Sequence, residues 1–334
     1  MSLTDRPRPA TATDVAQRAG VSRATVSHIL NGRDARFPQE TRSRVLAAAE
    51  ELDYRPSPAG RSLVTGHSDT VVVLMPNTTI GFGIQEAIER LSEDLGSNAN
   101  VVLRFGDEDS ERTVSAILGL RPLAVIDFGS LIDSARDRLR AQGVTVVPDH
   151  RRPITVGGVD FQDAIALLQV TELAKRGPRP IVYAALSDKR TDPYGPTRFT
   201  GIERACERLG LPAPFRITVE ADPERAIEKV RELGTGPVGI AAYNDYAAIA
   251  ILAGARRLDI DVPGELSIVG TDATQFGQLW APRLSSVAVD MRAVIDGAAR
   301  LLIEQLRDVL PGAVNEIHEE QERAVITLVP GETT

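Results

Sequence analysis

Residues 11–30 read TATDVAQRAGVSRATVSHIL, and this stretch predicts two short helices joined by a turn. Thr11 and Asp14 form a T-x-x-D variant of the capping box, so the first helix begins beside them and ends at Gly20. Ser22 is placed to cap the second helix. Three apolar residues then recur at helical spacing: Val26, Ile29 and Leu30. The stretch therefore predicts a helix, a glycine turn and a second, separately capped helix.

The opposite face of the second helix carries small and hydrogen-bonding side chains: Arg23, Ala24, Ser27 and His28. A third helix is expected to open with Pro38 at its first position. Its expected buried stripe is Val45, Leu46, Ala49 and Leu52. A polar second helix after a glycine turn is typical of the helix-turn-helix motif, whose second helix enters the major groove of DNA. On the helical pattern alone, a small helical cap with a solvated face is the alternative.

Charge is distributed unevenly along the chain. The formal net charge is −8, yet residues 1–64 hold ten Arg against seven acidic residues, giving +3, and the remainder carries −11. A basic head on an acidic body is compatible with a nucleic-acid partner, which the overall charge alone would discourage. The chain has 334 residues, of which 43% are apolar and 25% charged, so two or more packed domains are expected.

Composition also limits the possible chemistry. The single cysteine, Cys206, excludes an intrachain disulfide and a cysteine-rich metal site, and four scattered histidines give no ligand spacing. We therefore expect no metal and no cofactor. The N-terminal stretch has no apolar signal segment, and no run approaches ~18 apolar residues, so a cytoplasmic protein with no membrane partner is expected.

A linker separates the head from an α/β body. Residues 54–66 read YRPSPAGRSLVTG, and two prolines with two glycines leave this segment little intrinsic structure. From Thr70 onward, apolar strands alternate with helices in two successive rounds. Strands without polar alternation, each followed by a helix, predict parallel sheets covered on both faces. Two Rossmann-like subdomains are expected, with chain crossovers near residues 158–160 and 287–290.

No catalytic motif supports an enzyme. Residues 234–239 read GTGPVG and match G-x-G-x-x-G, but they follow a predicted helix and precede a strand. A dinucleotide site needs the reverse order, since the helix N-terminus must face the pyrophosphate, so a turn is the better interpretation. G-x-S-x-G, P-loop and H-E-x-x-H motifs do not occur in the sequence. The sequence therefore predicts that the protein is not an enzyme.

Short motifs along both parts of the chain carry a family resemblance. Those of the head are TDVA at 13–16, AGVS at 19–22, TVS at 25–27, LN at 30–31, TR at 41–42, V at 45, AA at 48–49 and LDYRP at 52–56. Those of the body are GVD at 158–160, RFTG at 198–201, YND at 243–245, VPGELSIVGTD at 262–272 and PRLSSV at 282–287. Over nearly its whole length the chain resembles the lactose-repressor (LacI) family of bacterial transcription regulators.

The resemblance implies a small all-α helix-turn-helix head plus an α/β body of two Rossmann-like subdomains of the periplasmic-binding-protein type. It places the DNA-binding domain at 1–55, a hinge helix at 56–67 and an effector-binding and dimerisation domain at 68–334. Within that domain, the N-subdomain would span about 68–158 and 288–318, and the C-subdomain about 159–287 and 319–330.

The function implied is that of a DNA-binding transcriptional regulator, a repressor, which binds a palindromic double-stranded operator as a homodimer. A small-molecule effector, a sugar or related polar metabolite, would bind in the cleft between the subdomains. The alternative is a corepressor-dependent regulator that senses a purine or nucleoside. Two other classes compete: a ligand-binding or transport receptor, disfavoured by the head, and a sugar-modifying enzyme, disfavoured by the missing acid/base residues. A head of only +3 binds phosphates modestly, which favours two linked copies.

Family correspondence places three residues at base-reading positions, namely Arg23, Ala24 and His28. Arg23 could bind guanine O6 and N7, or else make one more phosphate contact. Residues expected near phosphates or elsewhere on the DNA are Thr11, Ser22, Thr25, Ser27, Asn31, Arg33 and Arg61. Leu63 corresponds to the hinge leucine that enters the minor groove, and Gly60 stands where the family usually has alanine, which weakens the hinge helix.

Effector contacts are expected at the carboxyl ends of the body's strands, where a crevice forms. The residues concerned are Phe82, Phe128, Arg198, Asn244 and Asp272, of which Phe128 is a weaker candidate, as is Met75. For Asn244 and Asp272, a role as helix cap or turn residue is the alternative. The dimer interface implied by the family consists of Ile249, Leu252, Ala253, Leu279 and Trp280, and core burial is the alternative for Trp280.

Overall fold

The chain divides into two compact units, Met1–Asp69 and Thr70–Thr334. The computed structural model describes residues 10–30, 36–54, 68–76, 83–96, 99–107, 109–148, 155–156, 159–187, 194–219, 222–232, 234, 236–306 and 326–334. Each unit has its own apolar core.

The head is a packed trio of helices: α1 (Ala12–Ala19), α2 (Arg23–Leu30) and α3 (Gln39–Glu51). Thr11 and Asp14 form the predicted capping box at the start of α1. Gly20 ends that helix in the left-handed region, with φ 67°, a conformation that favours glycine. Val15, Val26 and Val45, one from each helix, are fully buried and form the centre of the core.

Two predictions about α3 are wrong. Pro38 lies just before the helix, at its N-cap, rather than at its first position. Leu46 is 55% exposed, whereas Val45, Ala48 and Ala49 are buried. The buried residues follow i, i+3, i+4 spacing, and Leu46 lies one residue and about 100° further round the helix, outside that stripe.

The first sheet of the body is parallel, with strand order β2-β1-β3-β4. Its elements are β1 (Thr70–Met75), α4 (Gly83–Leu95), β2 (Asn100–Phe105), α5 (Ser110–Leu120), β3 (Ala124–Asp127), α6 (Asp133–Ala141) and β4 (Thr145–Val147). On the central strand β1, Val71 and Val73 face one apolar cluster, and Val72 and Leu74 face another. The sheet is therefore covered on both faces.

A short antiparallel ribbon, β5 (Thr155–Val156) and β6 (Val159–Asp160), leads to the second sheet. The elements that follow are α7 (Phe161–Ala174), β7 (Ile181–Leu186), α8 (Gly195–Arg208), β8 (Phe215–Val219), α9 (Pro223–Glu232), β9 (Val238–Ala242), α10 (Asp245–Arg257), β10 (Leu266–Thr271), α11 (Gln275–Leu279), β11 (Ser285–Val289), α12 (Met291–Gln305) and β12 (Ile326–Val329). The strand order is β12-β11-β10-β9-β7-β8, and only the β11–β12 pair is antiparallel.

Late elements of the chain complete both sheets. Helix α12 packs with α4 on the first sheet through Ile295 and Leu302. Thr333 is fully buried against the second sheet: its carbonyl accepts from the Ile268 N–H at 2.8 Å, and its hydroxyl accepts from the Ser285 N–H at 2.9 Å. The predicted α/β body with two parallel sheets is confirmed.

The glycine-rich stretch at 234–239 lies between α9, which ends at Glu232, and β9, so the order expected for a dinucleotide turn is reversed. Gly239 is a residue of β9 itself. Within the described parts of the chain, no helix is long and apolar enough to cross a membrane. The same residues contain no group of three or more His, Cys, Asp or Glu arranged to hold a metal ion.

Candidate functional site

The exposed face of α2 in the head is short, polar and rigidly mounted. Ser22, Arg23, Ala24 and Ser27 are exposed, while Val26 and Ile29 anchor the opposite face in the core. The Ser22 hydroxyl accepts from the Thr25 N–H at 3.1 Å and pairs with the Thr25 hydroxyl at 2.9 Å. Ser22 thus caps the helix as predicted, and the helix presents its N-terminal residues to a ligand.

His28 is half-buried at the other end of α2, and its ring is placed by an aromatic neighbour. The His28 and Phe37 ring centroids lie 6.2 Å apart, and the Arg36 guanidinium lies 5.0 Å from the Phe37 centroid. Sequence reasoning did not identify Phe37, because it precedes α3 and belongs to no helical stripe. The Phe37 ring orients the His28 side chain and covers part of it. His28 is therefore less exposed than Arg23.

Thr11 uses its polar groups within the head, since its N–H and its hydroxyl both donate to the Asp14 carboxylate, at 2.8 and 2.7 Å. Four predicted DNA contacts lie outside the described residues, namely Asn31, Arg33, Arg61 and Leu63, as does Gly60.

In the body, Arg198 lies in the first turn of α8, which begins at Gly195, three residues earlier than the sequence suggests. The side chain is 6% exposed. Its Nε donates to the Gln162 Oε1 at 2.8 Å, its Nη1 donates to the Tyr243 carbonyl, and its guanidinium lies 4.8 Å from the Tyr243 ring centroid. These contacts fix the guanidinium at the carboxyl end of β9.

Asp272 follows β10 and stands in a backbone conformation that L-residues rarely adopt, with φ 94°; Ala273 beside it has φ 45°. Such strain persists only where the surroundings hold it, and it is concentrated at functional sites. The Asp272 N–H donates to the Val287 carbonyl at 2.8 Å. Burial raises the pKa of the Asp272 carboxyl to about 6; the Arg198 charge opposes this rise and Asp245 adds to it.

Asn244 combines the two roles that the sequence left open. Its Oδ1 accepts from the Ala247 N–H at 2.9 Å, so it caps α10. The residue is 2% exposed, and its Nδ2 has no hydrogen-bond partner among the described residues. A buried amide donor is costly when no acceptor pairs with it, so this donor is available to a bound molecule.

Asp245, which sequence reasoning did not single out, organises the loop that carries Asp272. Its fully buried carboxylate accepts from the Thr274 N–H at 2.6 Å, the Thr274 hydroxyl at 2.9 Å and the Ser286 hydroxyl at 2.6 Å. Burial raises the pKa of Asp245, while these hydrogen bonds oppose the rise. The YND motif could have indicated this role, since its Asp follows the capping Asn directly.

On the opposite side of the cleft, the prediction for the Phe128 side chain is wrong. Phe128 is 7% exposed and packs in the core of the first sheet with Met75, which is 4% exposed. Met75 is the last residue of β1 and Phe128 directly follows β3, and both side chains pack into the same apolar core. Only the backbone of Phe128 faces the cleft, and its carbonyl accepts from the Tyr194 hydroxyl. Phe82 lies outside the described residues.

A buried ion pair holds the same end of the first sheet. The Asp127 carboxylate accepts from the Arg136 Nε at 3.0 Å and its Nη2 at 2.7 Å, and from the Ser130 N–H at 2.8 Å. Burial raises the pKa of Asp127, and Arg136 opposes the rise. The loop after β3 is thereby fixed in place.

Apolar residues remain exposed at two places in the body. Leu279 is 84% and Trp280 37% exposed, so the Trp280 side chain is not part of the core. Ile249 and Ala253 are half-buried, whereas Leu252 is 3% exposed and packs in the core of the second sheet, which contradicts its assignment to an interface. Sequence reasoning missed the second place, edge strand β2, where Val102, Leu103 and Phe105 are exposed.

A helix-turn-helix head followed by a cleft of this kind, with a charged pair and an unsatisfied donor at its strand ends, defines a ligand-responsive regulator of transcription. Residues 11–57 match the family model of bacterial regulatory proteins, lacI family, and residues 170–334 match a periplasmic-binding-protein-like domain. The chain thus carries a LacI-family helix-turn-helix domain together with a periplasmic-binding-protein-like domain, and it is a DNA-binding transcriptional regulator.

Relatives match over most of the chain. Catabolite control protein A of Priestia megaterium is 29% identical over 309 residues, covering 88% of this chain and 91% of that protein. The Lac repressor dimer bound to operator and the anti-inducer ONPF has a TM-score of 0.74 at 21% identity, covering 98% and 99% of the two chains. The CelR regulator in complex with cellobiose has a TM-score of 0.62 at 21% identity, covering 98% and 100%.

Proposed function

We propose that this regulator is a repressor that binds a near-palindromic operator as a homodimer and is controlled by a small polar effector. The observation that carries the proposal is the exposed, capped face of α2, whose N-terminal residues project from a helix anchored by Val26 and Ile29. A helix mounted in this way can be inserted into the major groove without losing its core contacts. The Lac repressor, which shares the fold, is a dimer on its operator.

Within that face, residues divide by chemistry. Arg23 is exposed and carries the planar donor fork that matches guanine O6 and N7. His28, oriented by Phe37, is the second base reader. Ser22, Thr25 and Ser27 carry hydroxyls suited to phosphate oxygens, which position the helix without reading sequence.

Dimerisation follows from the exposed apolar surface of the body. Large apolar side chains are exposed at two places, which are Leu279–Trp280 and the edge strand β2 with Val102, Leu103 and Phe105. Groups of exposed apolar side chains often mark a protein–protein interface. An uncovered edge strand is also prone to pair with another chain. We assign both places to the homodimer interface, with Leu279 and Trp280 as its anchors in the second subdomain.

The effector proposal rests on three groups at neighbouring strand ends: the Arg198 guanidinium, the Asp272 carboxylate and the free Asn244 amide donor. Donors and a charged acceptor placed together suit a polyhydroxylated ligand such as a sugar. CelR, of the same fold, is a cellobiose complex. Among the described residues no contact favours a purine or nucleoside corepressor.

We assign residues 1–55 to DNA binding, 56–67 to a hinge and 68–334 to effector binding and dimerisation, and we place the protein in the cytoplasm, where the operator lies.

The test of the proposed function is fluorescence anisotropy with DNA from the gene's own promoter. We expect a palindrome to bind with nanomolar affinity, and Arg23→Ala to lose most of the difference between operator and scrambled DNA. Arg18→Ala, which removes an exposed ion pair between α1 and Glu51 of α3, is the matched control. Equal affinity for both DNAs in the wild type would contradict the proposal.

A further inference from the structure

One contact in the body crosses the cleft. Tyr194 lies at the N-cap of α8, in the subdomain of the second sheet, and its hydroxyl donates to the carbonyl of Phe128, which follows β3 of the first sheet. The contact therefore joins the first sheet to the subdomain that carries Arg198 and Asp272. Tyr194 belongs to none of the sequence motifs described above, and it has no part in the proposed function.

The receiving loop is shaped for this side chain. Gly129 has φ 92°, and a Cβ built on it would lie 3.3 Å from Cε1 of Tyr194, so the phenol ring rests against the glycine backbone. The Phe128 N–H donates to the Leu74 carbonyl at 2.9 Å, and the Ser130 N–H donates to the Asp127 carboxylate. The carbonyl that Tyr194 contacts is thus held by the first sheet on both sides.

Tyr194 is also tied to the effector wall. The Arg198 N–H donates to the Tyr194 carbonyl at 2.8 Å, which closes the first turn of α8. The Arg198 guanidinium is in turn fixed by Gln162 and by the Tyr243 carbonyl. Tyr194 and Arg198 therefore form one rigid turn, anchored to the second sheet by Arg198 and to the first sheet by the phenol.

We propose that Tyr194 is a positioning residue that couples Arg198 to the end of β3 across the cleft. A displacement of Arg198 moves the first turn of α8, and the phenol transmits that displacement to residues 128–130. This inference rests on the proposed function for its biological meaning, since the ligand that moves Arg198 is the effector proposed above. The mechanical link itself can be measured without effector or DNA.

The experiment is hydrogen exchange on the full chain, read by mass spectrometry in peptides covering 124–131 and 194–202. Tyr194→Phe keeps the ring and removes only the hydroxyl. Because one hydrogen bond is lost, we expect exchange in both peptides to accelerate roughly threefold to tenfold, with the melting temperature close to wild type. Tyr246→Phe, which removes an exposed hydroxyl from the start of α10, is the matched control and should leave both peptides unchanged.

Coupling is tested by a double-mutant cycle. Arg198→Ala releases the first turn of α8 and should accelerate exchange in 124–131, on the opposite wall, at least threefold in the wild-type background. It should have no such effect in the Tyr194→Phe background. Equal acceleration in both backgrounds, or a Tyr194→Phe protein whose exchange matches wild type, would overturn the proposal.

A second variant approaches the contact from the other wall. Gly129→Ala places a Cβ against the Tyr194 ring and should accelerate hydrogen exchange in residues 194–202. An exchange rate equal to that of the wild type in this peptide would also contradict the proposed coupling. Because none of these measurements uses DNA or a ligand, a failure of operator or effector binding in separate assays would refute the proposed function and leave the link standing.

Discussion

Replacing Asp272 with asparagine is expected to stabilise the ligand-free protein at neutral pH. Burial raises the pKa of this carboxyl from the ordinary 3.8 to about 6, so the folded state resists the ionisation that the unfolded state accepts freely. A shift of that size corresponds to about 3 kcal/mol at pH 7 and above, since one pKa unit is about 1.4 kcal/mol. Asparagine is neutral, and it tolerates the positive φ at this position better than most residues.

The sign follows from linkage. Below pH 3.8 the carboxyl is protonated in both states and contributes nothing. As the pH rises from 3.8 to about 6, the unfolded state loses its proton first, so wild-type stability falls. Above about pH 7 the loss is complete and constant. The advantage of the asparagine variant should therefore grow between pH 4 and 7 and then level off.

The assay is thermal unfolding of wild type and Asp272→Asn at half-unit intervals from pH 4.5 to 8. Since about 1 kcal/mol shifts the midpoint of a unit this large by roughly 2–4 °C, the variant should melt about 5–10 °C higher at pH 7.5, and by less at pH 4.5. Operator affinity should stay within threefold of wild type, while the effector response disappears. A variant that melts below wild type at pH 7.5, or a difference independent of pH, would refute this reasoning.

Four further outcomes are expected. Asp245→Ala leaves three buried donors without an acceptor and should lower stability by about 3–5 kcal/mol in urea unfolding, and a loss under about 1 kcal/mol would contradict its organising role. Thr333→Val removes hydrogen bonds to two strands and should cost about 1–3 kcal/mol in the same assay, whereas an exposed Thr218→Val should cost nothing measurable. Trp280→Ala should raise the dimer dissociation constant at least tenfold by analytical ultracentrifugation, and an unchanged constant would move the anchor elsewhere. Operator affinity should fall with salt at a log-log slope near −5, as about six phosphate contacts per dimer require, and a slope shallower than about −2 would contradict the phosphate contacts.

Sequence reasoning located most elements of the fold because the signals were local. The T-x-x-D box, Gly20 and the unbroken apolar strands each act within one turn or one strand, and the structure places helices and strands there. The order of helix and strand around Gly234 was equally local, and the structure shows the same order.

The errors concern which side of an element faces the core. Leu46 and Leu252 each have an apolar neighbour on the same helix. Where two adjacent residues are both apolar, the sequence alone does not show which of them is buried in the core. Phe128 follows a strand, where a cleft residue is expected, but its large apolar ring packs in the core of the first sheet. Tyr194 acts through a contact with a residue 66 positions away, which no local pattern reveals. Asp245 contacts a residue 41 positions away, and its place in the YND motif is the only local signal of its role.

The way the last residues complete the second sheet has a consequence for synthesis on the ribosome. The helices of the head are finished by Glu51, so the head can pack as soon as it leaves the exit tunnel. The second sheet lacks β12 and the hydrogen bonds of Thr333 to Ile268 and Ser285 until some 280 residues later. A nascent chain can therefore pack its head well before the second sheet of the body is complete.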